Sequence, residues 1–455
     1  MASQPLSLEV VGLFDYKDSK VLLRPKEGIT ILTGPNGSGK TTILKILRAI
    51  VAIDLPALSQ LPFREARLGF VNGTSLVVTQ LPNSLDGDQQ RPERTLRGKD
   101  STGKKLVLTG QTKNGTVSGV WETEIFPDAI DDIHAPPSYQ RINDEFWMDS
   151  RDGEIISKEG MRRRFAIRPT ERHRLLTPGE PPKWLDRFRP DAPPTIIATA
   201  RLEFGARIPD DRSAASARSH APIMQYTSQI REYVNQISRL VAEARRESQI
   251  ETQRADSEFP TRVFQLSDEV IAESSLREQY ETIVTLIQDL HGNGLAEESI
   301  GLKFPTGEKS NVQLRILKLF LDNWEKKLQP LLPMNIRIQM FRDIVGDRMK
   351  DKRLAFQPNG DIVFDTMNGQ SLIVESLSSG EQHMLALFAM LLFSAQPNSL
   401  VLIDEPEISL HVSWQHEFLA DLTRVVQLGD LNVVIATHSP SIINEQWFLV
   451  EELDS

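Results

Sequence analysis

A chain of 455 residues with 40% apolar and 25% charged composition has ordinary globular proportions and length for two to three domain-sized units around a large core. Its formal charge of −10 argues against a surface coated for nucleic acid, though not against one local groove, and zero cysteines exclude disulfides, thiolate zinc sites and thiol redox chemistry. The opening MASQPLSLEVVGLFDY has no basic leader before an apolar block, and the longest apolar run, 384–395, falls short of a membrane span, so a cytoplasmic location and no membrane partner are expected.

In chain order, residues 28–52 (GITILTGPNGSGKTTILKILRAIVA) read as a short apolar strand, a glycine-rich turn, and a helix with apolar positions at Ile43, Leu44, Leu47 and Ile50. Alternating stretches around Asn72-Gly73 and Asn114-Gly115 read as hairpins of an antiparallel side sheet, and the polar, turn-rich 83–104 between them reads as an exposed loop. From Arg162 to Arg189, nine Lys/Arg stand against three acidic residues, a run that reads as a solvated loop or subunit contact, or else as a patch for nucleic acid or an effector. The β-branched run within 194–204 reads as a buried strand. Helical spacing then takes over at Ile230, Val234, Ile237 and Val241, at Ile283, Ile287 and Leu290, and at Leu314, Leu317 and Leu321. Helices of about 20 residues, roughly 30 Å each, predict a compact arm rather than a long coiled coil. The C-terminal part reads as a hairpin-like stretch with Asn359-Gly360 and Asn368-Gly369, an apolar helix over 381–395, the strand SLVLIDE, an amphipathic helix, and the strand NVVIATHS. Strand, helix, strand, helix, strand is the order of a parallel P-loop sheet.

Four motifs carry chemistry. Residues 34–41 (Gly34, Pro35, Asn36, Gly37, Ser38, Gly39, Lys40, Thr41), followed by Thr42, fit G-x-x-x-x-G-K-[ST], in which backbone N–H groups wrap phosphates at a helix N-terminus. Lys40 is placed to reach the β- and γ-phosphates and Thr41 to ligate Mg²⁺. SLVLIDEPE at 399–407 ends an apolar strand in two carboxylates, Asp404 for the Mg²⁺ shell and Glu405 to polarise the attacking water. LSSGEQ precedes the 381–395 helix, and Ser378, Ser379, Gly380 and Glu381 at its start form an anion site of hydroxyl, backbone N–H and helix dipole. His438, 33 residues past Glu405 at the end of an apolar strand, is placed to hydrogen-bond a γ-phosphate.

Together these elements resemble the Walker A, signature, Walker B and His-switch set of the ABC-type ATPase superfamily. Lys40 and Ser378 lie 338 residues apart, and the insertion between them is similar to that of the RecF, SMC and OLD-type branch. SEFPTRVF at 257–264, DKRLAF, FDTMNGQSL and DEPEISLHVSWQ resemble the OLD-like bacterial AAA-type ATPases, over roughly 1–50 and 345–450. The resemblance implies an α/β P-loop head with an antiparallel side sheet and an inserted compact helical arm. Its parts are expected at 1–215 (first part of the head), 216–345 (arm) and 346–455 (second part of the head).

It further implies ATP and Mg²⁺ as cofactors, and hydrolysis in a homodimer or higher homo-oligomer. There Lys40, Thr41, Asp404, Glu405 and His438 of one subunit meet Ser378 and Gly380 of the other. Relatives include ATPase subunits of anti-phage systems such as PARIS and Septu, whose nuclease is a separate protein. With 17 residues after His438, no Toprim nuclease is expected to follow. The function expected is therefore a sensor ATPase that holds and releases a separately encoded toxic nuclease. The alternative is a RecF-like repair ATPase binding DNA ends or gaps. Gln80, after SLVVT, is the candidate Q-loop glutamine near the metal, and Phe14 and Tyr16 are expected near the adenine.

Overall fold

The computed structural model describes residues 4–81, 104–125, 139–141, 146–149, 155–157, 181–190, 192–198, 229–266, 270–296, 303–349, 351–357, 360–408 and 410–453. The basic run up to residue 180 and the loop expected at 83–103 lie outside them, while Lys104 already opens a strand.

The first part of the chain builds β1 (Pro5–Leu13), β2 (Lys17–Leu22), β3 (Ile29–Thr33), α1 (Lys40–Ala52), α2 (Leu55–Gln60), β4 (Glu65–Phe70), β5 (Ser75–Leu81), β6 (Lys104–Gln111) and β7 (Val117–Ile125). Six of these strands form an antiparallel sheet in the order β2-β1-β4-β5-β6-β7. Both expected hairpins are in it. At the first, Asn72 Oδ1 accepts from Thr74 N at 2.9 Å and Gly73 takes φ +81°, a conformation that glycine adopts without a Cβ penalty. The sheet is wider than the two hairpins, because β1 and β2 extend it. A small antiparallel sheet follows, β8 (Tyr139–Arg141), β9 (Phe146–Asp149) and β10 (Ile155–Ser157), and then β11 (Thr195–Ala198).

Four helices come next: α3 (Gln229–Phe264), α4 (Glu273–Gly292), α5 (Asn311–Leu328) and α6 (Leu332–Arg348). The 36 residues of α3 make it roughly 54 Å long, far more than the 20-residue helix expected from the apolar spacing. Its distal half is held by a small buried side chain and by polar contacts. Ala255 is buried, Lys327 pairs with Asp256 at 2.7 Å, and Arg262 donates to Asn323 at 2.6 Å. The insert also shares the core of the head. Ile237, Ile283, Leu321 and Phe341 belong to one buried cluster with Phe388, Leu419 and Ile435, and the Phe341 ring meets those of Phe356 and Phe393 edge-on.

The remaining elements are β12 (Lys352–Phe356), β13 (Ile362–Thr366), β14 (Ser371–Ile373), α7 (Ser379–Ala389), β15 (Leu400–Asp404), α8 (Val412–Gly429), β16 (Asn432–Ala436), α9 (Pro440–Ile443) and β17 (Val450–Glu452). Helix α7 passes into a π-helical turn over Met390–Ser394 rather than running unbroken to 395. Strands β11-β15-β16-β3-β17, in that order, make a wholly parallel sheet. Alternate residues feed two cores. Ile31, Val401, Ile403, Val433 and Ile435 face the helical side, whereas Leu32, Leu400, Leu402, Val434 and Ala436 face α1 and the antiparallel sheet. Burial on both faces is why these strands read as unbroken apolar runs, and each such side chain contributes about 1.5–3 kcal/mol over its exposed state.

Candidate functional site

The site lies where three adjacent parallel strands end. Asp404 of β15 pairs in register with Ala436 of β16, and Ala436 with Leu32 of β3. The chain therefore leaves β3 into residues 34–39, β15 into Glu405 and β16 into Thr437 and His438 at one edge of the sheet. The carboxyl ends of parallel strands are where open α/β sheets bind ligands.

Between β3 and α1 the chain turns through glycines at positions that other residues could not occupy. A Cβ on Gly34 (φ +151°) would stand 2.8 Å from the Leu453 carbonyl oxygen, and one on Gly39 (φ +96°) 3.0 Å from Leu13 Cδ2. Lys40 is 5% exposed, and its Nζ donates to the carbonyls of Gly34 (2.8 Å) and Pro35 (3.1 Å), so the cation closes the loop on itself. Lys17 Nζ braces the loop from outside through the Ser38 carbonyl at 3.2 Å. Thr41 Oγ1 donates to Asp404 Oδ1 at 3.1 Å, joining residues 363 positions apart. Burial, opposed by the Thr41 bond and reinforced by the charges of Glu405 and Glu407, pushes the Asp404 carboxyl above the usual aspartate range.

Glu405 sits at φ +50°, a left-handed conformation that costs a non-glycine residue on the order of 1 kcal/mol. It is pinned there because its N–H donates to the Ala436 carbonyl at 2.8 Å. Its Oε1 lies 3.5 Å from His438 Nε2. A third carboxylate, Glu407, stands in the same cluster: its Oε1 accepts the His438 backbone N–H at 3.0 Å and lies 3.7 Å from Nε2. Sequence reasoning missed Glu407, for which the DEPE spacing was the available signal.

The signature residues form a complete capping box at the start of α7. Ser378 Oγ accepts from Glu381 N, and Glu381 Oε2 accepts from Ser378 N at 2.8 Å and from Ser378 Oγ at 2.9 Å. Ser378 and Ser379 are exposed and Gly380 is half-buried. Among the described residues none of the three bonds to the loop at 34–39. Gln80 is not drawn to the Thr41–Asp404 pair either: its amide nitrogen donates to the Leu58 and Leu61 carbonyls at 2.6 and 3.0 Å, fastening β5 to the end of α2. Phe14 packs against Gly39 as part of the core edge, with Tyr16 stacked on it and 78% exposed.

The residues present fit ATP with Mg²⁺. Ser38 Oγ is buried and has no hydrogen-bond partner among the described residues, an orphaned polar atom inside the loop that would cradle phosphates. Thr41 Oγ1 and Asp404 Oδ1 supply adjacent hard oxygen donors, the pair that would hold Mg²⁺.

Fold and site together define a P-loop nucleotide-binding protein. Residues 189–444 match the model of the AAA domain family described as putative AbiEii toxin, Type IV TA system, and residues 6–157 match a second AAA domain family. The first match spans more than half the chain, and the protein belongs to that family. Among solved structures it is similar to the SMC head domain from Thermotoga maritima, at 10% identity and TM-score 0.32. It is also similar to the Smc head domain with an extended coiled coil bound to the C-terminal domain of ScpA derived from Pyrococcus furiosus, at 14% and 0.35. Both alignments cover 97% of this chain and 91% of the other. No helix among the described residues is long and apolar enough to cross a membrane.

Proposed function

We propose that the protein is a Mg²⁺-dependent ATPase that works as a homodimeric or higher-order switch. We propose also that it serves a bacterial anti-phage system as the sensor subunit that holds and releases a separately encoded toxic nuclease. The observation that carries the hydrolytic part is the convergence of Lys40, Thr41, Asp404, Glu405 and His438 on one edge of the parallel sheet. ATP would supply the phosphoryl group, and Mg²⁺, when bound, would supply neutralisation of the charge that develops on it. Lys40 and the backbone of 34–39 hold the phosphates, while Thr41 and Asp404 hold the metal. Glu405 takes a proton from the attacking water, and His438 Nε2 donates to the γ-phosphate. The exposed Ser378 and Ser379, with the half-buried Gly380, complete the nucleotide site of a second copy, so turnover requires two heads.

The family description names a putative toxin and a toxin–antitoxin system, which supports the defence side of the reading. Purification of the tagged protein from its native host, with co-purifying material identified by mass spectrometry and probed for nucleic acid, tests it. A stoichiometric nuclease or toxin supports the switch. Recovery of DNA with repair proteins and no such partner overturns it in favour of a RecF-like role.

A further inference from the structure

We propose that Glu407 is the positioning residue of His438: it fixes the main chain at that histidine and holds the ring with a proton on Nε2, the donor a γ-phosphate requires. The inference rests on the hydrolytic reading above and adds to it a residue that no motif assignment covers.

Three observations lead to it. First, Glu407 Oε1 accepts the backbone N–H of His438 at 3.0 Å, so the residue after the switch strand is tied to the turn after the Walker B strand. Second, Nε2 of the ring faces two carboxylate oxygens, Glu405 Oε1 at 3.5 Å and Glu407 Oε1 at 3.7 Å. These separations exceed a hydrogen bond, but a ring nitrogen set between two anionic acceptors carries the proton, since a bare lone pair there would be repelled by both. Third, the side chain of Glu407 is 11% exposed, and its second oxygen, Oε2, has no hydrogen-bond partner among the described residues.

The third observation separates positioning from bracing. A glutamine would accept the same N–H through Oε1 without the desolvation cost of a charge. The carboxylate is the costly choice, and what it adds is negative charge beside the imidazole. Its placement is itself fixed. The Glu407 carbonyl accepts from Gln415 Nε2 at 3.2 Å, and Gln415 Oε1 accepts from Ser439 Oγ at 3.0 Å, so α8 stitches the two turns together from behind. When nucleotide binds, Nε2–H turns from the carboxylates to the γ-phosphate. Glu405 is thereby released to accept the proton of water.

The test compares Glu407→Gln and Glu407→Asp with wild type in steady-state ATP turnover. Alongside it, the ring nitrogens of His438 in the wild-type protein are read by ¹⁵N NMR and assigned with His438→Gln. Glu407→Gln is expected to lower kcat at least about tenfold with KM for ATP changed less than about twofold, and Glu407→Asp to restore part of the loss. The wild-type ring is expected as the Nε2–H form. Wild-type kcat in Glu407→Gln overturns the proposal, and so does a bare Nε2 in the wild-type ring, a result that stands even if the variants fail to fold. A wild-type protein that binds ATP without any turnover overturns the hydrolytic reading instead, and the ring measurement then reports on the placement of His438 alone.

Discussion

Lys352 Nζ lies 2.6 Å and 2.8 Å from the two carboxylate oxygens of Glu381, so the first residue of β12 holds the carboxylate that in turn holds Ser378. Because α6 ends at Arg348 and Lys352 N donates to the Met349 carbonyl at 3.0 Å, the last helix of the insert runs almost directly into this contact. Burial works against the charge on Glu381, yet the Lys352 and Ser378 hydrogen bonds prevail and hold its carboxyl below the usual glutamate value of 4.5.

A depressed carboxyl stabilises the fold above its unfolded value and loses that contribution as pH falls through the lower folded value. Thermal melts of wild type and Lys352→Met should therefore differ by about 1 kcal/mol at neutral pH. The gap should close as pH is lowered past 4.5. A gap that is constant across that range would show that Lys352 acts through packing alone.

Glu405 gives a prediction of opposite signs for stability and activity. Glu405→Gly removes the left-handed strain at φ +50°. Allowing for the extra freedom of unfolded glycine, it should melt at or above wild type by up to about 1 kcal/mol. Turnover should fall about 100-fold or more in both Glu405→Gly and Glu405→Gln. Only the glutamine variant keeps the side chain, and with ATP it should elute as a stable dimer in size-exclusion chromatography. A glutamine variant that stays monomeric with ATP bound contradicts the two-head mechanism.

Lys40→Ala removes the ammonium that closes the loop on the Gly34 and Pro35 carbonyls. Titration with a fluorescent ATP analogue should show affinity lower by about 100-fold or more, equivalent to roughly 2.7 kcal/mol. The melting temperature should move little, because nearby water can satisfy the freed carbonyls.

Phe341→Ala tests whether insert and head share one core. The ring is 1% exposed and sits against Phe356 and Phe393, so truncation should cost about 3–5 kcal/mol. Hydrogen exchange should rise in α7 as well as in α6. Loosening confined to α6 would mean that the insert unfolds separately.

The parallel core was legible because strands buried on both faces have no polar alternation to confuse them, and because GPNGSGKT and LVLIDE each sit at a strand end. The length of α3 was not, since Ala244 and Ala255 bury too little side chain to mark a helical face. Strand β17 was missed for a similar reason: three residues, Val450–Glu452, give no period to read. Gln80 shows a different limit. Its position near the end of β5, after SLVVT, suggested a metal ligand, but the nearby carbonyls at the end of α2 take its amide, a contact no spacing rule encodes.

Strand β3 bears on how the chain matures. Its two neighbours in the sheet are β16 and β17, which begin at Asn432 and Val450, so neither edge of the phosphate-loop strand can be paired until about 400 further residues have been made. At roughly 5–20 residues per second on the ribosome, that is on the order of 20–80 s. During this time an apolar strand lacks both of its native sheet partners. Assembly of the nucleotide site is therefore a late event in biosynthesis, and the yield of soluble protein should depend on holdase chaperones and on translation rate more than on the final stability of the fold.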